Sequence, residues 1–284
     1  MSRLLCFGLG YCALHYIRHF GGRFEAMAGT MREPRAVDGA HAEALPFDRD
    51  DAALRAAIAT ADHVLVSIPP GETGDPVLRD FADLLRERRP RIVYLSSLGV
   101  YGDSAGGWVD EDSPCRPTAA RSRQRLQAEQ QWTRFAGETG AGLTILRLAG
   151  IYGPGRNALE AVKRGEVRRV VKPGQVFNRI HVFDIAQAID AAFVREASGI
   201  FNVADDEPSP PGDPIAFAAR LLGTPVPPEI PFDAVKATMT PMAVSFYAEC
   251  RRASNARLKS VLGVSLRYPT YRDGLTALYA SGVT

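Results

Sequence analysis

Seven short apolar runs, at residues 4–7, 24–29, 44–47, 63–68, 92–96, 143–148 and 200–203, alternate with amphipathic segments rich in Ala, Arg and Leu. The segments fall at residues 11–20, 51–59, 76–88, 120–139 and 182–195. Parallel neighbours in a sheet need a crossover long enough for a helix, so this alternation predicts βα units. Val64-Leu65-Val66-Ser67-Ile68 lacks polar alternation, as expected of a strand covered on both faces. After residue 204 the pattern changes: residues 206–214 hold four prolines, residues 224–231 four more, and short helical stretches follow. The expected fold is α/β, a doubly wound parallel sheet with a smaller, mostly helical C-terminal lobe. Residues 1–152 and 181–204 are assigned to the sheet domain, and residues 153–180 and 205–284 to the lobe.

The first run leads directly into Gly8-Leu9-Gly10-Tyr11-Cys12-Ala13 and then a helix. The first glycine permits a tight turn, and the second lets the backbone approach a pyrophosphate. The third position, here Ala13, governs helix–strand packing. An anion there meets free N–H groups and the positive end of the helix dipole. The pattern alone is unspecific; its place between strand and helix, at the head of a βα alternation, makes it a candidate dinucleotide loop. The end of the second strand then separates two cofactors. An acid there accepts from the ribose 2′-OH of NAD, whereas arginine suits the 2′-phosphate of NADP. The strand runs Ala26-Met27-Ala28-Gly29-Thr30-Met31-Arg32 with no acid at its tip. Thr30 and Arg32 are therefore candidate phosphate ligands, and NADP(H) is expected over NAD(H).

Composition narrows the partners. Thirty-four basic against thirty-two acidic residues leave a net charge of +2, so no electrostatic footprint points to nucleic acid or an anionic membrane. No apolar run approaches the ~20 residues of a membrane span, and Gly8 and Gly10 interrupt the N-terminal run too early for a signal peptide. Cys6, Cys12, Cys115 and Cys250 show no metal spacing, which suggests reduced thiols and a cytoplasmic setting. His15 and His19 share a helix face without a third ligand, so no metal is expected. The acidic run Asp110-Glu111-Asp112 reads as a solvated loop.

Four further segments resemble landmarks of the extended short-chain dehydrogenase/reductase family, of the NAD-dependent epimerase/dehydratase type. They are Tyr94-Leu-Ser-Ser-Leu-Gly-Val-Tyr-Gly102, Leu146-Arg-Leu-Ala-Gly-Ile-Tyr-Gly-Pro-Gly-Arg156, His181-Val-Phe-Asp184 and Phe201-Asn-Val-Ala-Asp205, in the family's order. The resemblance implies a Rossmann sheet whose C-terminal lobe closes over a nicotinamide. It implies a small polar or nucleotide-sugar-like substrate and the possibility of a homodimer. Ser97 matches the family's catalytic serine. Asp48 is similar to the acid that contacts the adenine amino group, or else it caps the helix starting near Asp51. Ser67, Ile68 and Pro69 fall where the family's fourth strand meets the cofactor. Asp184 matches a structural acid at a helix start.

One departure matters more than these matches. The family's chemistry uses Tyr-x-x-x-Lys on a helix, where the ammonium lowers the phenol pKa and the phenol moves the proton. Aligned on Ala128-Glu129, this helix places Arg121 at the tyrosine position and Arg125 at the lysine position. The only lysines are 163, 172, 236 and 259, preceded four residues earlier by Leu159, Arg168, Phe232 and Asn255, so the pair exists nowhere. Arg125 can still grip ribose hydroxyls, but a guanidinium does not deprotonate. Tyr152 and Tyr101 are the candidate substitute proton donors, each with packing as its alternative role. Two readings result: an NADP(H)-dependent oxidoreductase or epimerase-like enzyme of non-standard mechanism, and a catalytically inactive dinucleotide-binding sensor or partner module.

Overall fold

The computed structural model describes residues 2–37, 39, 41–165 and 167–282. Its strands are β1 (Ser2–Phe7), β2 (Phe24–Met31), β3 (Glu43–Pro46), β4 (His63–Val66), β5 (Arg91–Ser97), β6 (Trp108–Val109) and β7 (Leu143–Leu148). There follow β8 (Gly150–Tyr152), β9 (Arg169–Val171), β10 (Arg179–His181), β11 (Gly199–Val203), β12 (Glu229–Pro231) and β13 (Arg252–Ala253). Between them lie α1 (Tyr11–Phe20), α2 (Ala52–Thr60), α3 (Pro76–Arg88), α4 (Ala120–Thr139), α5 (Ala158–Lys163) and α6 (Val182–Val194). The last third adds α7 (Asp213–Leu221), α8 (Phe232–Val235), α9 (Pro241–Phe246), α10 (Ala256–Ser260) and α11 (Tyr271–Ala280).

Seven strands form one sheet in the order β11-β7-β5-β4-β1-β2-β3, every pairing parallel. Strand order reverses between β1 and β4, so the sheet is the doubly wound Rossmann fold, with its crevice beyond the carboxyl ends of those strands. The uninterrupted apolar runs follow from this burial. Along β1, Leu4 and Cys6 join the core beneath α1 and α6, while Leu5 and Phe7 join the core beneath α2, α3 and α4. Helix starts follow local chemistry as well: Asp51 accepts from Leu54 N–H, and Asp75 accepts from Val77 and Leu78 N–H ahead of Pro76.

The run at 63–68 ends as a strand at Val66, because the Ser67 and Ile68 N–H groups both turn to the Phe7 carbonyl, at 2.9 and 3.1 Å. Trp132 and Phe135 of α4 face the sheet core. Glu111 is not solvated: its side chain is 3 % exposed and accepts the Asn202 N–H of β11 at 2.7 Å. After β7 the chain leaves the sheet, and β8 pairs with β10 alone. Tyr152, Leu159, Ala218, Tyr271, Leu275 and Leu278 form a separate core among α5, α7 and α11. The β9–β12 pair and α8 enclose another around Val170, Phe232 and Tyr247. Among the described residues no helix is long and apolar enough to cross a membrane.

Candidate cofactor and substrate cleft

The turn from β1 into α1 is built for a close anion. Gly8 sits at φ +99°, and a Cβ there would meet Ile68 Cγ2 at 2.7 Å and Ser67 Oγ at 2.8 Å. Only glycine fits that position. Gly10 differs: nothing lies within 4 Å of its Cβ position, so a side chain would project into the space a ligand needs. Gly10 is also the N-cap of α1 and supplies no side chain to the first-turn N–H groups. These are unsatisfied donors at the positive end of a ten-residue helix, which suits a pyrophosphate. Ala13 is fully buried against the sheet, as the third position of the loop requires.

Two predicted ligands turn out to brace this loop. The Thr30 hydroxyl is buried and accepts the Gly8 N–H at 2.9 Å, and the Thr30 carbonyl takes the Leu9 N–H. Thr30 thus holds the loop in place from beneath, and its burial keeps it from a 2′-phosphate. Ser67 Oγ donates to the Gly8 carbonyl at 2.7 Å. Arg32 lies exposed just beyond β2. Asp48 is not a helix cap: it accepts the Asp50 N–H at 3.0 Å, and Asp51 caps α2. Pro69 is exposed and Ile68 half-buried against Gly8.

Gly10, Tyr11, Cys12, Ser67, Ser97 and Arg125 surround one cavity of about 280 Å³. Arg125 Nη1 donates to the Leu95 carbonyl at 2.8 Å and to the Tyr94 hydroxyl at 3.1 Å, which fixes the guanidinium against β5. Burial pushes the Cys12 thiol up to about 11 and the Tyr11 phenol up to about 12, so both stay protonated and neutral beside the loop. A second cavity of about 540 Å³ adjoins the first. The two share Ser97, Leu148, Ala149 and Ile151. Ser97 ends β5 and its Oγ accepts the Gly99 N–H at 3.1 Å, which leaves the hydroxyl proton free to donate. Ser122 of α4, with no sequence motif to mark it, is a second hydroxyl on the same glycine: a Cβ at Gly99 would meet Ser122 Oγ at 2.7 Å and Ser97 Oγ at 3.4 Å.

Neither candidate tyrosine offers its hydroxyl to a substrate. Tyr101 is buried and donates to Asn202 Oδ1 at 2.7 Å, with burial pushing its phenol up to about 12. Tyr152 touches the larger cavity, but its hydroxyl donates to the Thr270 carbonyl at 3.3 Å inside the helical lobe, and burial raises its pKa. His15 is a packing residue: its ring lies 4.7 Å from that of Tyr11, and burial lowers its pKa to about 4.

Behind Ser97 lies a network that no motif announced. Ser96 donates to Glu129 Oε1 at 2.5 Å, and Arg147 donates to both Glu129 oxygens at 2.7–3.2 Å. Arg147 also lies 4.8 Å over the Tyr101 ring. The network ties the carboxyl end of β5 to α4 and β7.

A doubly wound sheet whose first βα turn is an uncapped glycine loop defines a Rossmann-type nucleotide-binding protein. Residues 77–204 match the model of the NAD-dependent epimerase/dehydratase family. The chain is 45 % identical to a functionally unknown conserved protein of Silicibacter pomeroyi, with 100 % of both chains covered and a TM-score of 0.90. It is 29 % identical to the 3-diazoavenalumate denitrifying reductase of a Streptomyces species, over 59 % of this chain and 58 % of that one. UDP-N-acetylglucosamine 4-epimerase from Bacillus cereus shares the fold, at 14 % identity, 99 % coverage of both chains and a TM-score of 0.79.

Proposed function

We propose that this protein is an NADP(H)-dependent oxidoreductase that transfers hydride between the cofactor and a small polar substrate without a phenolic proton donor. The observation that carries the reading is the place of Ser97, at the junction of a cavity built on the glycine loop and a cavity built from the C-terminal lobe. Gly8, Gly10 and the first turn of α1 would hold the pyrophosphate, Arg125 the nicotinamide ribose, and Arg32 the 2′-phosphate. Asp48 is proposed to face the adenine. The absence of an acid at the end of β2 favours NADP(H) over NAD(H).

The bound cofactor supplies or accepts the hydride. Ser97, with Ser122 beside it, would donate a hydrogen bond to the substrate oxygen as charge develops there. Arg121 and Arg125 cannot exchange a proton near neutral pH. Among the described residues the one carboxylate lining the larger cavity, Glu249, is engaged by Arg251 at 2.8 Å. Tyr11, which lines the smaller cavity, gives its hydroxyl proton to the Pro154 carbonyl at 2.9 Å. The proton would therefore come from water, which favours substrates that accept hydride readily. The Streptomyces relative, a reductase by name, supports reduction over epimerisation. Epimerases among the structural neighbours keep a nucleotide-sugar-like substrate as the alternative.

Titration with NADPH and NADH, read by nucleotide fluorescence, tests the cofactor. NADPH should bind roughly tenfold or more tightly than NADH, and Arg32→Ala should erase the difference. Isotope transfer from labelled NADPH to a product, lost in Ser97→Ala, tests the chemistry. Nucleotide binding without transfer across a broad substrate panel would favour the second reading, an inactive sensor or partner module, which the arginine at position 121 motivates.

A further inference from the structure

The larger cavity carries more positive charge than its own acids neutralise. Arg121, Arg156, Arg179 and Arg251 line it, against Glu249 as the single carboxylate among the described residues. Glu249 is occupied by Arg251 at 2.8 and 3.0 Å and by the Thr118 hydroxyl at 2.6 Å. Arg179 donates to the carbonyls of Phe177 and Pro210 and to the Ser209 hydroxyl, with Asp205 and Asp213 as acidic neighbours behind it. Arg121 and Arg156 make no ion pair with any described carboxylate. Uncompensated guanidinium groups in a walled cavity focus potential and raise the local concentration of anions.

Arg121 lines the larger cavity together with Ser97. It precedes Ser122, whose hydroxyl shares the surroundings of Gly99 with Ser97, and its guanidinium lies 4.5 Å over the Phe246 ring of α9. The stacked guanidinium is a fork whose geometry matches a planar carboxylate. The wall beside it is apolar, built from Leu98, Ile151, Tyr152, Phe177 and Phe246. A flat hydrocarbon body laid on such a wall would bury apolar surface without leaving a polar group unpaired.

We propose that the larger cavity takes an aromatic or unsaturated carboxylate, its carboxylate gripped by Arg121 at the Ser97 end and its body lying on the apolar wall. The assignment rests on the oxidoreductase reading only in treating the bound molecule as substrate; the binding claim stands apart from it.

Calorimetric titration of the full chain, without nucleotide and again with NADPH, uses trans-cinnamate, its neutral isostere cinnamamide, phenyl phosphate and UDP-glucose as probes. Cinnamate should bind roughly tenfold or more tightly than each of the others, as a charge-assisted bidentate contact implies. Arg121→Gln should remove that advantage while leaving cinnamamide unchanged, and Arg121→Lys should restore part of it. Because Arg121 is exposed, the variants should melt with the parent, so lost binding reads as lost charge. Equal affinity for acid and amide, an advantage that survives Arg121→Gln, or no binding of cinnamate overturns the proposal. Tighter binding of phenyl phosphate or UDP-glucose overturns it in favour of a phosphate ester or a nucleotide sugar. Failure of NADPH to bind sinks the cofactor reading instead, and leaves the acid–amide comparison in the nucleotide-free arm intact.

Discussion

Arg147 of β7 and Glu129 of α4 form an ion pair with Nη2 and Oε2 at 2.7 Å and both side chains 4 % exposed. The Ser96 hydroxyl completes the carboxylate's shell at 2.5 Å. This arrangement ties the end of β5, and hence Ser97, to α4 and β7. Burying such a pair is a weak source of net stability, but breaking one half leaves the other charge buried and unpaired. Glu129→Gln should therefore destabilise the fold by about 3–5 kcal/mol. Denaturant unfolding measures this, and a loss below about 1 kcal/mol, the scale of an exposed pair, would show the site to be wetter than its burial indicates.

The two glycines of the α1 loop should fail in different ways. Gly8→Ala meets Ile68 and Ser67 below 3 Å at a φ of +99°, so it should lower stability by about 1–3 kcal/mol before any question of ligand arises. Gly10→Ala adds a methyl into open space at φ −92°, a conformation alanine adopts freely. It should melt like the parent and weaken NADPH binding. Melting curves and nucleotide titration on both variants separate a structural glycine from one that makes room for phosphate.

Burial lifts the Asp205 carboxyl to about 8, with Oδ1 accepting only the Glu207 N–H at 3.2 Å and Oδ2 unpartnered. The folded state then holds a proton that the unfolded chain has released, between about pH 4 and pH 8. Stability falls across that window as pH rises. Asp205→Asn keeps the acceptor and removes the titration, so its melting temperature should gain on the parent's progressively from pH 5 to pH 8. A constant difference would place the Asp205 pKa in the ordinary range.

His181 titrates the other way. Its Nδ1 accepts the Phe183 N–H at 3.1 Å as the N-cap of α6, which requires the neutral ring. Burial, with His15, Arg267 and His19 adding to it, lowers its pKa to about 3. The unfolded chain binds the proton first, so the stability this neutral ring supports is present above about pH 6.5 and drains as pH falls toward 3. His181→Asn preserves the cap and should flatten that acid limb of the melting-temperature profile. An unchanged acid limb would assign it to other groups.

The βα frame was legible because both faces of the sheet are covered. Burial on both sides turns strands into continuous apolar runs, and α1, α3 and α4 begin and end where those runs and their flanking turns predict. The glycine loop was legible for a related reason, since its φ of +99° at Gly8 is a local constraint, although the close contact with Ser67 and Ile68 after β4 is tertiary. The missing Tyr-x-x-x-Lys pair was equally plain, because it is a matter of which residue types the chain contains.

What only the tertiary structure decided is how each polar group is used. Thr30 and Glu111 read as available from sequence, and Tyr101 and Tyr152 as either proton donors or packing residues; each proves to be engaged by a partner between 20 and about 120 residues away. The Ser96–Glu129–Arg147 network and the gathering of four arginines in one cavity left no periodic signal either. Local pattern fixes backbone conformation, because dihedral preference and burial periodicity are properties of neighbouring residues. The partner of a hydroxyl or a charge is set by which distant segments the fold packs together, and one sequence read in order carries no record of that.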